Sequence, residues 1–276
     1  MTLGEALATG IETLEQNLVS AARLTGEVLL AHSLGVDRTY IYSHNNDTID
    51  KRVWDSYRSM LERRLTGEPT QHITGIQEFY GRLFSVNERV LIPRPETEFV
   101  IEAVAELNHW QAPRIIDVGT GSGCIAITLS LEIPSSDVFG GDISEEALLV
   151  ARRNSLALGA SVGFLNMNLT DACTGQFEFV VSNPPYVDTN DFRSLQREVR
   201  EHEPHVALFA PDEPTSVYRN LLPQAHERLI QGGYLVVEIG YAMEMKIRDL
   251  FGEEWELLPT RADLQGIPRV IAARKR

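Results

Sequence analysis

Apolar residues recur three or four positions apart along the N-terminal part of the chain, in three segments. The positions are Leu3, Leu7, Ile11, Leu14 and Leu18, then Leu24, Val28 and Leu29, then Trp54, Tyr57, Leu61 and Leu65. This spacing places them on one helix face, so it predicts amphipathic helices. The polar tract SHNNDTID precedes the third segment, and Gly67 and Pro69 end it. Residues 1–75 are therefore predicted to form a small helical domain.

The pattern changes over residues 76–95, IQEFYGRLFSVNERVLIPRP. Aromatic and β-branched residues on both sides of Gly81 predict a β-hairpin. The following IPRP is a stiff connector, because proline restricts its own φ and the conformation of the residue before it. We therefore predict a β-hairpin linker over 76–95, between the helical domain and a larger domain over 96–276.

From residue 113 onward, short apolar runs alternate with helical segments. The runs RIIDVG, DVFGGD, VGFLNM, FEFVVSN and YLVVEIG predict strands, and the tail adds WELLP and PRVIAARK. The segment SEEALLVARRNSLALG predicts a helix that begins after the capping residue Ser144 and ends at Gly159. Strands and helices alternating at this length are typical of a doubly wound, mainly parallel α/β sheet. The expected sheet has seven strands.

A glycine-rich turn, DVGTGSGC, follows the first of these strands. Gly119, Gly121 and Gly123 have no Cβ, so the backbone can turn sharply and a ligand can approach it closely. In an open α/β sheet, ligands bind beyond the carboxyl ends of the strands. Asp142 ends the second strand, where its carboxylate can accept hydrogen bonds from both hydroxyls of a ribose.

Three interpretations of this turn compete. The dinucleotide fingerprint G-x-G-x-x-G would need its third glycine at Cys124, whereas the spacing is G-x-G-x-G. S-adenosylmethionine (SAM) fits this spacing better, since it has no pyrophosphate to place at the helix N-terminus. A tight turn whose glycines serve packing alone is the third interpretation. Asp117 is predicted to hydrogen-bond the loop amides and to order the loop around the methionine part of SAM.

The stretch NPPY, residues 183–186, makes a rigid corner at the end of the fourth strand. Pro184 and Pro185 cannot continue a strand, because they lack the N–H group. Asn183 Oδ1 and the Pro184 carbonyl could accept hydrogen bonds from a planar amide or exocyclic amine. Such acceptors would orient the nitrogen and stabilise its developing positive charge. Tyr186 offers a flat face for a planar group.

Seven runs of sequence support a resemblance that covers nearly the whole chain. They are RRLTGEPTQHITGIQEFYG, LIPRPETE, DVGTGSGCIAITLS, GDIS, SNPPYV, EHEPHVAL and VVEIG. With these runs the chain resembles the bacterial peptide chain release factor glutamine methyltransferases. The resemblance implies a SAM-dependent methyltransferase sheet after a helical, substrate-docking domain. It also implies methyl transfer to the side-chain amide of the glutamine in the GGQ motif of release factors.

The resemblance also implies roles for individual residues. Asn183 and Pro184 would be catalytic, and both would contact the substrate together with Pro185, Tyr186 and Phe79. The residues expected to bind the cofactor are Asp117, Gly119, Thr120, Gly121, Ser122, Gly123, Asp142, Asn168 and Asn183. The family position near the adenine falls in the tract NMNLTD, on Asn168 or Leu169.

Net charge and composition indicate which binding partners and which cell compartment to expect. The formal net charge is −14 and the pI is about 5.0, which argues against stable nucleic-acid binding. No apolar stretch is long enough to span a membrane. The two cysteines, Cys124 and Cys173, suggest a reducing cytoplasm. His202 and His205 have an H-x-x-H spacing, but we expect a structural corner there and no metal.

The sequence leaves two alternative functions, and the role of one basic cluster, undecided. An adenine-N6 or cytosine-N4 DNA methyltransferase also uses an Asn-Pro-Pro-aromatic corner, but it needs a basic target-reading segment. A non-catalytic SAM-binding protein is the alternative from another class, although it would not need the NPPY corner. A basic cluster in the helical domain, which is either a docking patch or a solvated helix face, comprises Lys51, Arg52, Arg58, Arg63 and Arg64.

Overall fold

The structure is a computed structural model that describes residues 1–276, except the side chain of Ser194. The chain forms two compact units. The first comprises Met1–Ile76 and Gln196–His202, and the second comprises Gln77–Leu195 and Glu203–Arg276. The predicted domain over 96–276 ran without interruption, whereas the segment Gln196–His202 belongs to the first unit. The docking role of the helical domain stays a prediction.

The elements are numbered in chain order. The helices are α1 (Leu3–Gln16), α2 (Ala22–Leu34), α3 (Arg38–Ser43), α4 (Lys51–Leu65), α5 (Thr70–Thr74), α6 (Glu98–Leu107), α7 (Cys124–Glu132), α8 (Glu145–Leu158), α9 (Arg197–His202), α10 (His205–Leu208), α11 (Ser216–Arg228) and α12 (Glu244–Arg248). The strands are β1 (Ile76–Phe79), β2 (Arg82–Ser85), β3 (Arg114–Val118), β4 (Asp137–Asp142), β5 (Val162–Asn166), β6 (Phe177–Ser182), β7 (Leu229–Glu238), β8 (Trp255–Leu257), β9 (Arg261–Ala262) and β10 (Pro268–Lys275). Short 3₁₀ helices cover Pro95–Thr97 and Thr189–Ser194.

The first unit is built around the apolar stripes that the sequence predicted. A capping box begins α1, since Thr2 Oγ1 accepts from the Glu5 amide and Glu5 accepts from the Thr2 amide. Half of the twelve predicted positions are buried in one core, namely Leu3, Leu7, Leu14, Leu29, Tyr57 and Leu61. Leu18 was wrongly placed on the first stripe. It is 92% exposed, because α1 ends at Gln16.

The basic cluster of the helical domain is not a continuous surface patch. Arg64 is only 4% exposed, and its guanidinium pairs with Glu198 of α9 and donates to the Glu68 carbonyl. Arg63 also pairs with Glu68. The inclusion of Arg64 in a docking patch is therefore wrong, because its charge is used inside the unit.

The second unit contains the predicted α/β sheet. Its strand order is β5-β4-β3-β6-β7-β10-β8, and β9 pairs with β10 beside this path. Strands β5, β4, β3, β6 and β7 are parallel, and β10 is antiparallel to β7. The prediction of a doubly wound, mainly parallel sheet is confirmed. The seven predicted strands form the continuous path, and the two-residue β9 is an addition.

The apolar runs are strands buried on both faces. In β3, Ile116 and Val118 pack into one hydrophobic cluster, while Ile115 packs into the other. Side chains alternate between the two faces of a strand, so a strand covered on both sides needs apolar residues at consecutive positions. The predicted hairpin also forms from β1 and β2, with Tyr80 and Gly81 at positive φ in its turn.

Strand register brings the predicted site residues to one edge of the sheet. Val118 of β3 pairs with Gly141 of β4 on one side and with Ser182 of β6 on the other. The next residues along these three strands are Gly119, Asp142 and Asn183. Because strand order reverses between β3 and β6, this edge is a topological switch point, where α/β sheets bind their ligands.

Candidate functional site

A cavity of about 240 Å³ lies at this switch point. Its lining includes seven residues that the sequence predicted for the site, namely Gly119, Gly121, Asp142, Asn168, Asn183, Pro184 and Pro185. The cavity thus joins the glycine-rich turn after β3 to the NPPY corner after β6. These two motifs lie far apart in the chain, and the parallel pairing of β3 with β6 makes them neighbours.

The glycine-rich turn is held by backbone hydrogen bonds. The amides of Gly119 and Thr120 donate to the Gly141 carbonyl of β4, at 2.8 and 2.9 Å. Gly119 and Gly121 have φ values of +74° and +53°, and a Cβ on either would meet no atom within 4 Å. Glycine is therefore needed at both positions for its backbone conformation, and the absent side chains leave open space next to the cavity. Gly123 differs, because a Cβ there would lie 2.8 Å from Ile127 Cδ1.

Asp142 has both carboxylate oxygens fixed by backbone amides. Oδ2 accepts from the Gly121 amide and Oδ1 accepts from the Ser144 amide, each at 2.9 Å. Burial raises the pKa of this carboxyl above its usual value, and the two hydrogen bonds lower it in part. Each oxygen retains a further lone pair that can accept from a hydroxyl group. The carboxylate is thus rigid and suited to bind a ribose.

Asp117 lies beneath the turn and is fully buried. Its Oδ2 accepts from the Thr120 hydroxyl at 2.6 Å and from the Ala126 amide at 3.3 Å, which orders the loop. Among the described residues its Oδ1 has no hydrogen-bond partner. Burial raises the pKa of Asp117 to about 7. A buried acceptor without a partner fits a donor on a ligand, such as the ammonium group of the methionine part of SAM.

The side of the cavity next to Asp142 is apolar. Ile143, Met167 and Leu169 line it together with Asn168. Ile143 is 59% exposed although it is a large apolar residue, and Leu169 has a φ of +55°. Neither Ile143 nor Met167 was predicted from the sequence. The apolar residue directly after Asp142, in the run GDIS, was the signal that could have identified Ile143.

The NPPY corner forms the opposite side of the cavity. Asn183 Nδ2 donates to Thr97 Oγ1 at 3.1 Å. Pro184 is buried, whereas Asn183 and Pro185 are partly exposed. Tyr186 follows the corner, and its hydroxyl lies 3.5 Å from Glu238 Oε1. Burial raises the pKa of the Tyr186 hydroxyl, so this group stays protonated and can donate.

Six predicted site residues lie outside the described lining of the cavity, and one of them is the fully buried Asp117. Thr120, Ser122 and Gly123 form the buried side of the turn, and the Ser122 carbonyl accepts from Asn154 Nδ2 at 2.9 Å. Tyr186 lies against Gly240 and Glu238. Phe79 is 1% exposed and packs edge-on against Phe84 in the hydrophobic core. The structure does not bring Phe79 to the cavity, and its contact with substrate stays a prediction.

Glu238 is a functional candidate that sequence reasoning missed. It ends β7, next to the strand that carries Asn183, because Ser182 pairs with Val237. It is 2% exposed, and its Oε2 accepts from Thr97 Oγ1 at 2.6 Å. Burial raises the pKa of Glu238 to about 7. A buried acid at the end of a strand is the signal, and it was present in the run VVEIG.

The doubly wound sheet, with the open glycine turn at its switch point, has the architecture of the SAM-dependent methyltransferases. Two family models match the chain, the PrmC N-terminal domain over residues 5–75 and the methyltransferase small domain over residues 95–202. The release factor glutamine methyltransferase of Koribacter versatilis is 42% identical over 282 residues, which cover 100% of this chain and 99% of that relative. The chain belongs to the release factor glutamine methyltransferase family.

A second relative agrees with this assignment, and a solved structure has a similar fold. The release factor glutamine methyltransferase of Chlorobaculum tepidum is 38% identical and covers 97% of this chain and 95% of its own. The Thermus thermophilus 16S rRNA N2 G1207 methyltransferase, solved with AdoMet (SAM) and guanosine, has a TM-score of 0.51. It is 18% identical, over 73% of this chain and 50% of its own. At that identity the likeness concerns the fold.

Within the described part of the chain, no group of three or more His, Cys, Asp or Glu side chains is arranged to hold a metal ion. Over the same residues, no helix is both long enough and apolar enough to cross a membrane.

Proposed function

We propose that this enzyme methylates the side-chain amide nitrogen of the glutamine in the GGQ motif of peptide chain release factors. The observation that supports this most directly is that Asn183 and Pro184 share one cavity with Gly119, Gly121 and Asp142. An acceptor corner for an amide and a candidate SAM-binding turn therefore lie within the same small volume. The substrate named for the relatives is the one whose chemistry this corner suits.

The corner addresses the main chemical difficulty of the reaction. An amide nitrogen is a poor nucleophile, because its lone pair is delocalised into the carbonyl group. When bound, SAM supplies an electrophilic methyl group on its sulfonium. Asn183 Oδ1 and the Pro184 carbonyl accept hydrogen bonds from the two amide N–H groups and turn the nitrogen towards that methyl group. The same two acceptors stabilise the positive charge that develops on the nitrogen.

The two prolines keep these acceptors in place before the substrate binds. Pro184 is buried, and Pro185 restricts the conformation of the residue before it, so the Pro184 carbonyl cannot easily reorient. Asn183 is held through its Nδ2 by Thr97, which leaves Oδ1 available. Acceptors that need no rearrangement cost little free energy when the charge develops. The methylated nitrogen can then lose its proton to water, so no catalytic base is assigned.

A glutamine side chain alone offers too little surface to select one protein among many. We propose that the helical domain supplies the remaining contacts with the release factor. The exposed members of its basic cluster are Lys51, Arg52, Arg58 and Arg63. We place the reaction in the cytoplasm, where translation ends, and we expect no stable binding to nucleic acid.

The test is transfer of labelled methyl from SAM to a purified release factor, followed by mass mapping of the modified residue. We expect one methyl group on the GGQ glutamine, and no label on a variant release factor with that glutamine replaced. A DNA duplex serves as a second substrate. Label on the DNA alone would assign the enzyme to the adenine-N6 or cytosine-N4 class. Tight SAM binding without transfer to either substrate would favour the non-catalytic alternative.

A further inference from the structure

Two sequence runs that the proposed reaction does not yet use meet behind the NPPY corner. Thr97 belongs to LIPRPETE and lies directly before α6, and Glu238 belongs to VVEIG and ends β7. Each is 2% exposed. Thr97 Oγ1 lies 2.6 Å from Glu238 Oε2 and 3.1 Å from Asn183 Nδ2. A chain of three buried or partly buried side chains thus leads from Glu238 through Thr97 to Asn183.

Hydrogen-bond chemistry gives this chain a direction. At about pH 8, above its raised pKa, Glu238 is ionised and its carboxylate only accepts hydrogen bonds, so the single O–H of Thr97 is donated to it. Thr97 Oγ1 then has only lone pairs left for Asn183, and these can be met only by the Nδ2 amide group. The Asn183 carboxamide is planar, and its oxygen lies on the other branch from Nδ2. Oδ1 is therefore left for a ligand in the cavity that Asn183 lines.

Glu238 is itself held in place. The Tyr218 hydroxyl donates to the Glu238 backbone carbonyl at 2.7 Å. The Tyr186 hydroxyl lies 3.5 Å from Glu238 Oε1, the oxygen that Thr97 does not use. A Cβ on Gly240 would lie 2.7 Å from the Tyr186 ring, so the chain after β7 packs closely on this tyrosine. The carboxylate that sets the direction therefore has its backbone fixed and both oxygens near a hydroxyl.

We propose that Thr97 and Glu238 are positioning residues, which orient the Asn183 carboxamide so that Oδ1 and not Nδ2 faces the methyl acceptor. The proposal rests on the proposed function, because the acceptor N–H is the group that Oδ1 would bind. With the carboxamide reversed, an N–H group would face the N–H group of the substrate. The corner would then repel the nitrogen that it should orient.

Thr97→Val tests this directly, because valine has a similar shape and no hydrogen bond to give. At about pH 8 we expect kcat to fall roughly 10-fold, with the dissociation constant of SAM unchanged. Thr97→Ser keeps the hydroxyl and should stay within about threefold of wild type. Thr128→Val is the matched control, since Thr128 is fully buried and its Oγ1 has no partner among the described residues. It should leave kcat unchanged.

A double-mutant cycle separates positioning from a structural role. If Thr97 acts through Asn183, Thr97→Val should have no further effect on kcat in an Asn183→Ala background. An equal loss in both backgrounds would overturn the proposal, because it would show that Thr97 acts independently of Asn183. Wild-type turnover in Thr97→Val, in protein shown to be folded, would overturn it as well.

A spectroscopic arm does not depend on the methyl acceptor. In ¹H–¹⁵N spectra of the SAM-bound protein, the side-chain amide of Asn183 is assigned by its loss in Asn183→Ala. Thr97→Val should shift these resonances and speed their exchange with water, and Thr128→Val should not. Unshifted resonances would contradict the proposal even if the enzyme methylates release factors. If the wild type fails to methylate a release factor, the proposed function fails, and the spectra still decide the orientation of Asn183.

Discussion

The two sides of the cavity are held in different ways. On the nucleotide side, which would hold the ribose of SAM, the backbone amides of Gly121 and Ser144 fix Asp142. On the acceptor side, which would hold the substrate amide, Asn183 is fixed by Thr97, 86 positions away in the chain. Thr97 is fixed in turn by Glu238, 141 positions away. The first side is a backbone motif that needs little outside help. The second is a side-chain network whose members come from three separate elements, so we expect it to be disturbed from a greater range of positions.

The largest effect should come from the acceptor side. Asn183→Ala removes a fixed acceptor for developing charge, so we expect kcat to fall on the order of 100-fold or more. The affinity for SAM, measured by calorimetry on the same preparation, should change much less. Steady-state methylation of a release factor supplies kcat. Wild-type turnover in this variant would refute the role assigned to the NPPY corner.

A mutation on the nucleotide side should weaken SAM binding. Asp142→Ala removes hydrogen bonds to an ionised acceptor, which should cost about 1.5–3 kcal/mol, or roughly 10- to 150-fold in SAM affinity. Asp137→Ala is the matched control, because Asp137 begins the same strand and is exposed. Calorimetry compares the two variants. Equal SAM affinity in both would remove Asp142 from the cofactor site.

The buried Glu238 on the acceptor side should also affect how the stability of the protein depends on pH. Burial raises the folded-state pKa of Glu238 to about 7 from its ordinary value of 4.5. The folded protein therefore binds the proton more tightly, so the stability linked to Glu238 is present below about pH 4.5 and is lost as the pH rises through about 7. The nearby charges are Glu96, which raises this pKa, and Arg269, which lowers it.

Glu238→Gln tests this, because glutamine keeps the shape and cannot ionise. We expect the unfolding midpoint of the variant, relative to wild type, to rise by several degrees between about pH 4.5 and 7 and to level off above. Thermal unfolding of both proteins across this range measures the difference. A difference that does not change with pH would mean that Glu238 has an ordinary pKa in the folded protein.

The smallest effect should come from the basic cluster of the helical domain, outside the cavity. Charge reversal of the exposed Lys51, Arg52 and Arg58 to Glu should raise KM for the release factor by a few-fold, with kcat nearly unchanged. Arg64 is unsuitable for this test, because it is buried against Glu198. Activity on a short glutamine peptide is the control and should not change. An unchanged KM would remove these residues from the docking surface.

Structural features that depend on neighbouring residues were predicted most accurately from the sequence. The helix over residues 145–158 has the predicted cap at Ser144 and the predicted glycine at 159, because capping depends on residues only a few positions apart. The hairpin and the strands of the sheet were predicted by the same kind of local pattern. Leu18 shows the limit, since a stripe of apolar residues does not itself show where a helix ends.

The sequence by itself determined the sheet, the glycine turn and the rigid NPPY corner, because each depends on residue types that are adjacent or regularly spaced. Only the tertiary structure decided which motifs meet. The register of β3 with β6 places Gly119 beside Asn183, and the ends of β6 and β7 bring Glu238 close to Asn183 through Thr97. It also decided that Arg64 pairs with Glu198 inside its unit. Such contacts join residues distant in the chain, and hydrophobic pattern and spacing carry no information about their separation in space.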